Sequence, residues 1–232
     1  MRAAFTKGLA HGVPIALGYL SVSFGFGILA VGLGLPVWGT VLISLSNLTS
    51  AGQAAGVEII AAAGTLMEMV LTQLVINIRY ALMGFSLSQK LDNSFTTPRR
   101  LLISFGITDE VYAVAVSQPG TISAPYMLGL IALPVVGWTS GTLLGAVAGQ
   151  LLPDAISSAM GIVLYGMFLA IILPPARKDR RVLVVVVLAA LCSILCRYVL
   201  TFLSGGFAVI LSALVAAVVG AILFPVEEEE TE

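Results

Sequence analysis

The chain has 232 residues, of which 59% are apolar and only 10% charged, and its mean hydropathy is +1.06. Apolar runs of about twenty residues recur from end to end, which excludes a soluble domain, and they do not alternate as barrel strands would. The net charge of −1 hides a clustering of charge in the N-terminus, two loops and the acidic tail Glu227–Glu230, and no basic surface suits nucleic acid.

The pattern predicts an all-α polytopic membrane protein built as one membrane-embedded domain over residues 1–232. Apolar segments fall at 12–33, 37–60, 64–88, 101–118, 124–150, 155–174, 182–201 and 206–225, and Pro36, Pro98, Pro125, Pro153, Pro174 and Pro225 mark most boundaries. The loop with Lys90, Arg99 and Arg100 and the loop with Arg177, Lys178, Arg180 and Arg181 should both be cytoplasmic, as should the basic N-terminus. Three segments separate each successive pair of these basic regions. Three full crossings would put them on opposite sides, so broken or re-entrant segments are expected. The segments 101–118 and 37–60 are the weakest spans, and about seven crossings, within a range of six to eight, are predicted.

In chain order, Arg2 and Lys7 precede the first apolar run as they would in a signal peptide. The run from Val13 to Leu35 is longer than an ordinary signal core, so it is read as a retained helix. Within it, Gly25 and Gly27 mark either an unwound point beside a substrate or a packing notch.

The second segment holds Ser46-Asn47-Leu48-Thr49-Ser50-Ala51-Gly52-Gln53, a small and polar run in the middle of a span. Irregular backbone at that depth is tolerated only against protein or a water-lined cavity. Asn47, Ser50, Gly52 and Gln53 are therefore candidate substrate contacts, with close packing through Gly52 and Gly56 as the other reading.

The third segment carries Glu68, Gln73, Asn77 and Arg79. At 100° per residue Glu68, Thr72, Val75 and Arg79 share a face, and a polar stripe in a membrane helix looks inward. Asn77 and Arg79 join the substrate-binding candidates.

The fourth segment is apolar except for Thr108, Asp109 and Glu110. As one spanning helix it would hold both acids near its middle, where a carboxylate costs about 2.5–3.5 kcal/mol on insertion scales. Such residues need a partner or a proton, so Asp109 and Glu110 are the candidates for proton coupling. Arg79 is the natural counter-charge of either, unless it reaches out toward the loop.

Further on, Gly141, Gly145 and Gly149 form a small-residue ridge for close helix contact, within the chain or with another subunit. Cys192 and Cys196 lie one helical turn apart, which suits packing rather than a disulfide or a metal site. Arg197 needs a partner or a route to the interface. Ser23-Phe24-Gly25 recurs as Ser104-Phe105-Gly106, and Leu35-Pro36-Val37 as Leu133-Pro134-Val135, a faint echo of the paired interrupted segments of transporter repeats.

Enzyme classes find little support. His11 is the only histidine, no Gly-x-Ser-x-Gly elbow is present, and no Gly-x4-Gly-Lys-Ser/Thr loop would hold a nucleotide. No cofactor and no metal are expected.

Gln53 after small residues, Asn77-x-Arg79 followed by Gly84-x-Ser86-Leu87, and then Gly106-x-Thr108-Asp109-Glu110 resemble the AzlC family, from about Phe5 to the 170s. These are the large subunits of branched-chain amino-acid exporters. The C-terminal helices 182–225 and the tail 226–232 lie outside the resemblance. It implies a permease of the bacterial cytoplasmic membrane that exports small neutral amino acids and works with a small AzlD-type subunit. The chain departs from the family pattern at Gly52, Ala54, Tyr80 and Met83, which leaves a different small metabolite open as the substrate. A non-catalytic structural subunit, with polar residues that only hold helices together, is the alternative.

Overall fold

The computed structural model describes residues 1–151, 166, 169 and 172–225. Nine helices follow one another among these residues: α1 Arg2–Gly32, α2 Val37–Ser46, α3 Ser50–Ala61, α4 Leu66–Ser88, α5 Thr97–Phe105, α6 Asp109–Val116, α7 Ala124–Leu151, α8 Arg180–Tyr198 and α9 Gly205–Leu223. Pairing between extended segments is limited, among the described residues, to one isolated bridge between Leu91 and Ile122. Five helices, α1, α4, α7, α8 and α9, are long and apolar enough to cross a membrane. The expected count of seven is not reached among the described residues, and most of the segment expected at 155–174 lies outside them.

α1 and α7 form the axis of the bundle and run parallel. Gly8 and Gly12 at the start of α1 face Tyr126 and Leu130 at the start of α7, and Gly27 near the end of α1 faces Thr142 and Ala146. In return Gly137 lies on Ala16, Gly141 on Leu20 and Gly145 on Phe24. A Cβ at any of these glycines would run into the backbone of the other helix, so both ridges exist to bring the two backbones together. The ridge of Gly141, Gly145 and Gly149 thus makes an intrachain contact. α1 is continuous across Ser23–Gly27, so neither Gly25 nor Gly27 marks an unwound point, and Gly27 is a packing notch against α7.

The two weak spans are both broken hairpins. α2 leaves the far end of α1 and reaches the middle of α7, where Ser44 Oγ and Thr142 Oγ1 are hydrogen-bonded at 2.7 Å. The chain opens at Asn47–Thr49, with Asn47 extended at φ −153°, and α3 turns back so that Val57 packs with Phe26 and Ala30 near the end of α1. α5 and α6 do the same from the opposite end. α5 stops at Gly106, whose missing Cβ lets the chain lie on Ile131. α6 then returns until Lys90 Nζ donates to the carbonyls of Val116 and Gln118 at 2.6 and 2.7 Å. Asp92 N and Ile122 O, and Ile122 N and Lys90 O, close the loops at that end.

The segment 101–118 is therefore not a single spanning helix. Its acids open a half-helix, because Gly106, Ile107 and Thr108 leave the helical path and Thr108 caps a new one. This removes the topological conflict: with 37–61 and 97–116 each starting and ending on one side, the basic N-terminus and the loop 89–100 share a side.

The tripeptide echo does not mark equivalent positions, since Ser23–Gly25 is mid-helix in α1 whereas Ser104–Gly106 ends α5. The real correspondence lies between the two breaks. Asn47-Leu48-Thr49 matches Gly106-Ile107-Thr108, and each threonine accepts a hydrogen bond from the amide three residues on, Gly52 N and Val111 N. The step from Thr49 to Thr108 also carries Ser46 onto Phe105, and Val37 to within one residue of Thr97.

α4 links the two hairpins and docks the C-terminal pair. Its buried Glu68, 5% exposed, accepts from Ser204 Oγ at 2.5 Å and Gly206 N at 2.9 Å. A carboxylate at the N-terminus of α9 satisfies an orphan amide and matches the helix dipole.

Candidate functional site

The two breaks meet at mid-depth. A cavity of about 410 Å³ is lined by Ser46–Thr49 from the first hairpin, by Ser104, Phe105 and Ile107 from the second, and by Asn77, Tyr80, Ala81 and Gly84 from α4. Half-helices begin on both sides of it, α3 at Ser50 and α6 at Asp109, which aims two sets of N-terminal amides and two positive dipole ends toward the middle. Leu48, Ala81, Phe105 and Ile107 supply an apolar wall, and the volume lies within the range of small-molecule sites.

Of the sequence-predicted residues, Asn47 and Asn77 line the cavity. Asn47 Oδ1 accepts from Thr49 N at 3.0 Å, an Asx turn that shapes the first break. Asn77 Nδ2 donates to Gln73 Oε1 at 2.9 Å, and its own Oδ1 is buried without a partner among the described residues. A buried acceptor left unpaired beside a cavity fits a donor brought by a ligand.

Gln53 and Gly52 stand behind the wall. Gln53 is 1% exposed; its Nε2 donates to Asn47 O at 2.7 Å and Ser44 Oγ at 3.2 Å, and its Oε1 accepts from Trp138 Nε1 at 3.0 Å. It closes the first break and ties it to α7. Gly52 O accepts from Gln73 Nε2 at 2.8 Å, and a side chain at Gly52 would strike Gln73 and Thr49. Ser50 is half-buried at the first turn of α3, and Gly25 and Gly27 lie on α1 away from the lining.

The acids separate, as neighbours about 100° apart on a helix must. Asp109 Oδ2 pairs with Arg79 Nη2 at 2.9 Å, each side chain about half exposed, so the expected counter-charge of Arg79 is Asp109. The Arg79 guanidinium also lies over the Tyr80 ring, 5.2 Å from its centroid. Glu110 faces α1 instead and accepts from Tyr19 OH. Tyr19 OH is also 2.5 Å from Thr108 Oγ1, and its ring meets Trp138 edge-on at 5.3 Å. Arg79–Asp109 thus joins α4 to α6, and Tyr19–Glu110 joins α1 to α6, both at the level of the second break.

Sequence reasoning missed Tyr19, Trp138 and the capping role of Thr49 and Thr108. A signal existed. A Tyr or Trp inside a long apolar helix brings a hydroxyl or N–H that a membrane cannot satisfy, and it normally finds a polar partner.

The AzlC protein family matches residues 14–152, a span that contains both breaks, α4 and the whole cavity. An uncharacterized membrane protein of Archaeoglobus fulgidus is 32% identical over 174 residues, covering 74% of this chain and 76% of its own length. Inner membrane protein YgaZ of Escherichia coli K12 is 29% identical over 185 residues, covering 77% of this chain and 76% of its own. An uncharacterized membrane protein of Helicobacter pylori is 26% identical over 150 residues, covering 63% of this chain and 65% of its own. No solved structure matches. With five helices fit to span a bilayer and relatives named as membrane proteins, this is a multi-pass membrane protein, and the chain belongs to the AzlC family.

Proposed function

We propose that the chain is the transport subunit of a secondary exporter for small neutral amino acids of the branched-chain type, coupled to protons, in a bacterial cytoplasmic membrane. The observation that carries this reading is the meeting of two oppositely directed broken hairpins at one mid-depth cavity. Secondary transporters build substrate sites in this way, with half-helix N-termini turned to an anionic group and the unwound backbone available to the ligand.

In this reading the substrate carboxylate meets the N-terminal amides of α3 or α6 near Thr49 and Thr108. The Oδ1 of Asn77 accepts from the substrate ammonium, and Leu48, Ala81, Phe105 and Ile107 take the branched side chain. Asp109 and Glu110 carry the coupled proton. Arg79 and Tyr19, already bonded to them, respond to its arrival. Gln53, Ser50 and Gly52 hold the first break in shape. The basic ends of α1, α5 and α8 face the cytoplasm. A small AzlD-type subunit completes the exporter.

The test is intracellular amino-acid accumulation after dipeptide feeding, in cells without their own exporters. The arms are the chain alone, the chain with its small subunit, and the pair carrying Asp109→Asn. A fall in valine, leucine, isoleucine or methionine that requires Asp109 supports the reading. No change for any amino acid rejects this substrate class.

A further inference from the structure

A second cavity, of about 360 Å³, opens at the end of the molecule where α1, α5 and α7 begin. Its floor is apolar, formed by Phe5 of α1 with Pro125 and Leu128 of α7, and two arginines also line it, Arg2 of α1 and Arg99 of α5. At 1.5 Å per residue α1 is about 46 Å long, against a hydrocarbon core of ~30 Å, so its first turns stand at headgroup level.

Among the described residues neither arginine has a carboxylate against it. Among the described residues the ion pair is Arg79–Asp109, at mid-depth. Asp92, on the loop that leads into α5, turns its Oδ1 to Ser94 N and Ser94 Oγ. Arg99 spends Nη1 on Ser94 O at 2.8 Å, which orients the guanidinium and leaves the rest of its fork unspent. A planar fork oriented by Ser94, in a cavity that a second arginine also lines above an apolar floor, brings together the donor types that a phosphodiester needs.

We propose that this cavity binds an anionic phospholipid, its phosphate between Arg2 and Arg99 and an acyl chain over Phe5 and Leu128. Basic pockets between membrane helices at the headgroup level recognise anionic lipids in this way. The proposal stands apart from the transport site, which shares none of these residues. The bound lipid ties the start of α5, and so the second broken hairpin, to the α1–α7 axis.

The test uses the purified full chain, delipidated in neutral detergent, and measures thermal stabilisation on titration with phosphatidylglycerol, phosphatidylcholine or inorganic phosphate. Phosphatidylglycerol should bind about thirtyfold tighter than phosphatidylcholine, the increment expected from two basic residues at a membrane surface. The double variant Arg2→Gln/Arg99→Gln should lose that preference and keep the melting temperature of the parent in phosphatidylcholine. Should the loop need Arg99 to fold, Arg2→Gln alone should remove about fivefold of the preference. Equal stabilisation by both lipids, or an unchanged preference in the Arg2 variant, overturns the proposal. Stabilisation by inorganic phosphate alone overturns it too, because the site would then read a soluble phosphoryl group.

Discussion

Arg79 and Asp109 meet at 2.9 Å and join the middle of α4 to the first residue of α6. This one bond links the helix that borders both hairpins to the point where the second hairpin restarts. Asp109→Asn and Arg79→Gln should each slow efflux at least about tenfold, equivalent to about 1.4 kcal/mol on the barrier. The double variant removes both charges together. If the pair only held helices together, the double variant would transport normally. The exporter reading expects it to reach the membrane, assemble and remain inactive, as efflux assays with a surface-labelling control would show.

Gln53 and Trp138 are the second linked pair. Gln53→Leu leaves the indole N–H and the Asn47 carbonyl without their partner in a buried site. It should lower stability by about 1–3 kcal/mol. Trp138→Phe removes the same bond from the other side, so the two changes should be less than additive in a double-mutant cycle. Full additivity in thermal melts would show that the bond contributes nothing.

The glycine ridges separate into positions that need a hydrogen and positions that do not. At Gly145 a methyl group would overlap the backbone of Phe24, and Gly145→Ala should cost about 1–3 kcal/mol or more. At Gly18 nothing lies within 4 Å, and Gly18→Ala should leave stability unchanged or raise it by about 0.5–1 kcal/mol. Melting temperatures of the two variants in one detergent decide this.

Glu68 caps a helix from another part of the chain. Glu68→Ala strips the acceptor from Gly206 N and Ser204 Oγ and should cost about 1–2 kcal/mol. Hydrogen exchange should rise in the first turn of α9, with the start of α6 unaffected. Uniform exchange changes would argue against a local cap.

The hairpins carry a topological prediction. With Cys192 and Cys196 replaced, single cysteines at Leu33 and Ala62 should react with an impermeant maleimide from one face of the membrane. Those at Asn93 and Pro119 should react from the other. If 37–61 crossed fully, Leu33 and Ala62 would label from opposite faces.

Much of this molecule was legible in its residues. Composition and the twenty-residue apolar runs determined an all-helical membrane protein, because a bilayer admits only helices and closed barrels and these runs do not alternate as barrel strands would. The basic loops required that some segments turn back, and the polar run around Asn47–Gln53 and the acids at Asp109 and Glu110 marked which two. Arg79 was legible as a candidate counter-charge from its position on the stripe of α4, but the choice between Asp109, Glu110 and the loop was not.

What only the tertiary structure decided was the pairing across long sequence distances. Gly27 is a packing surface because α7 lies parallel on α1, and no local pattern names a partner more than a hundred residues away. Gln53 stands behind the cavity wall, and Asn77 on it, because Trp138 happens to reach the first and Gln73 turns the second. Asp109 and Glu110 share a sequence neighbourhood yet serve different helices, since one helical step points them at α4 and at α1. Side-chain type sets which bonds must be made. The packing of α1, α4 and α7 sets which group makes them.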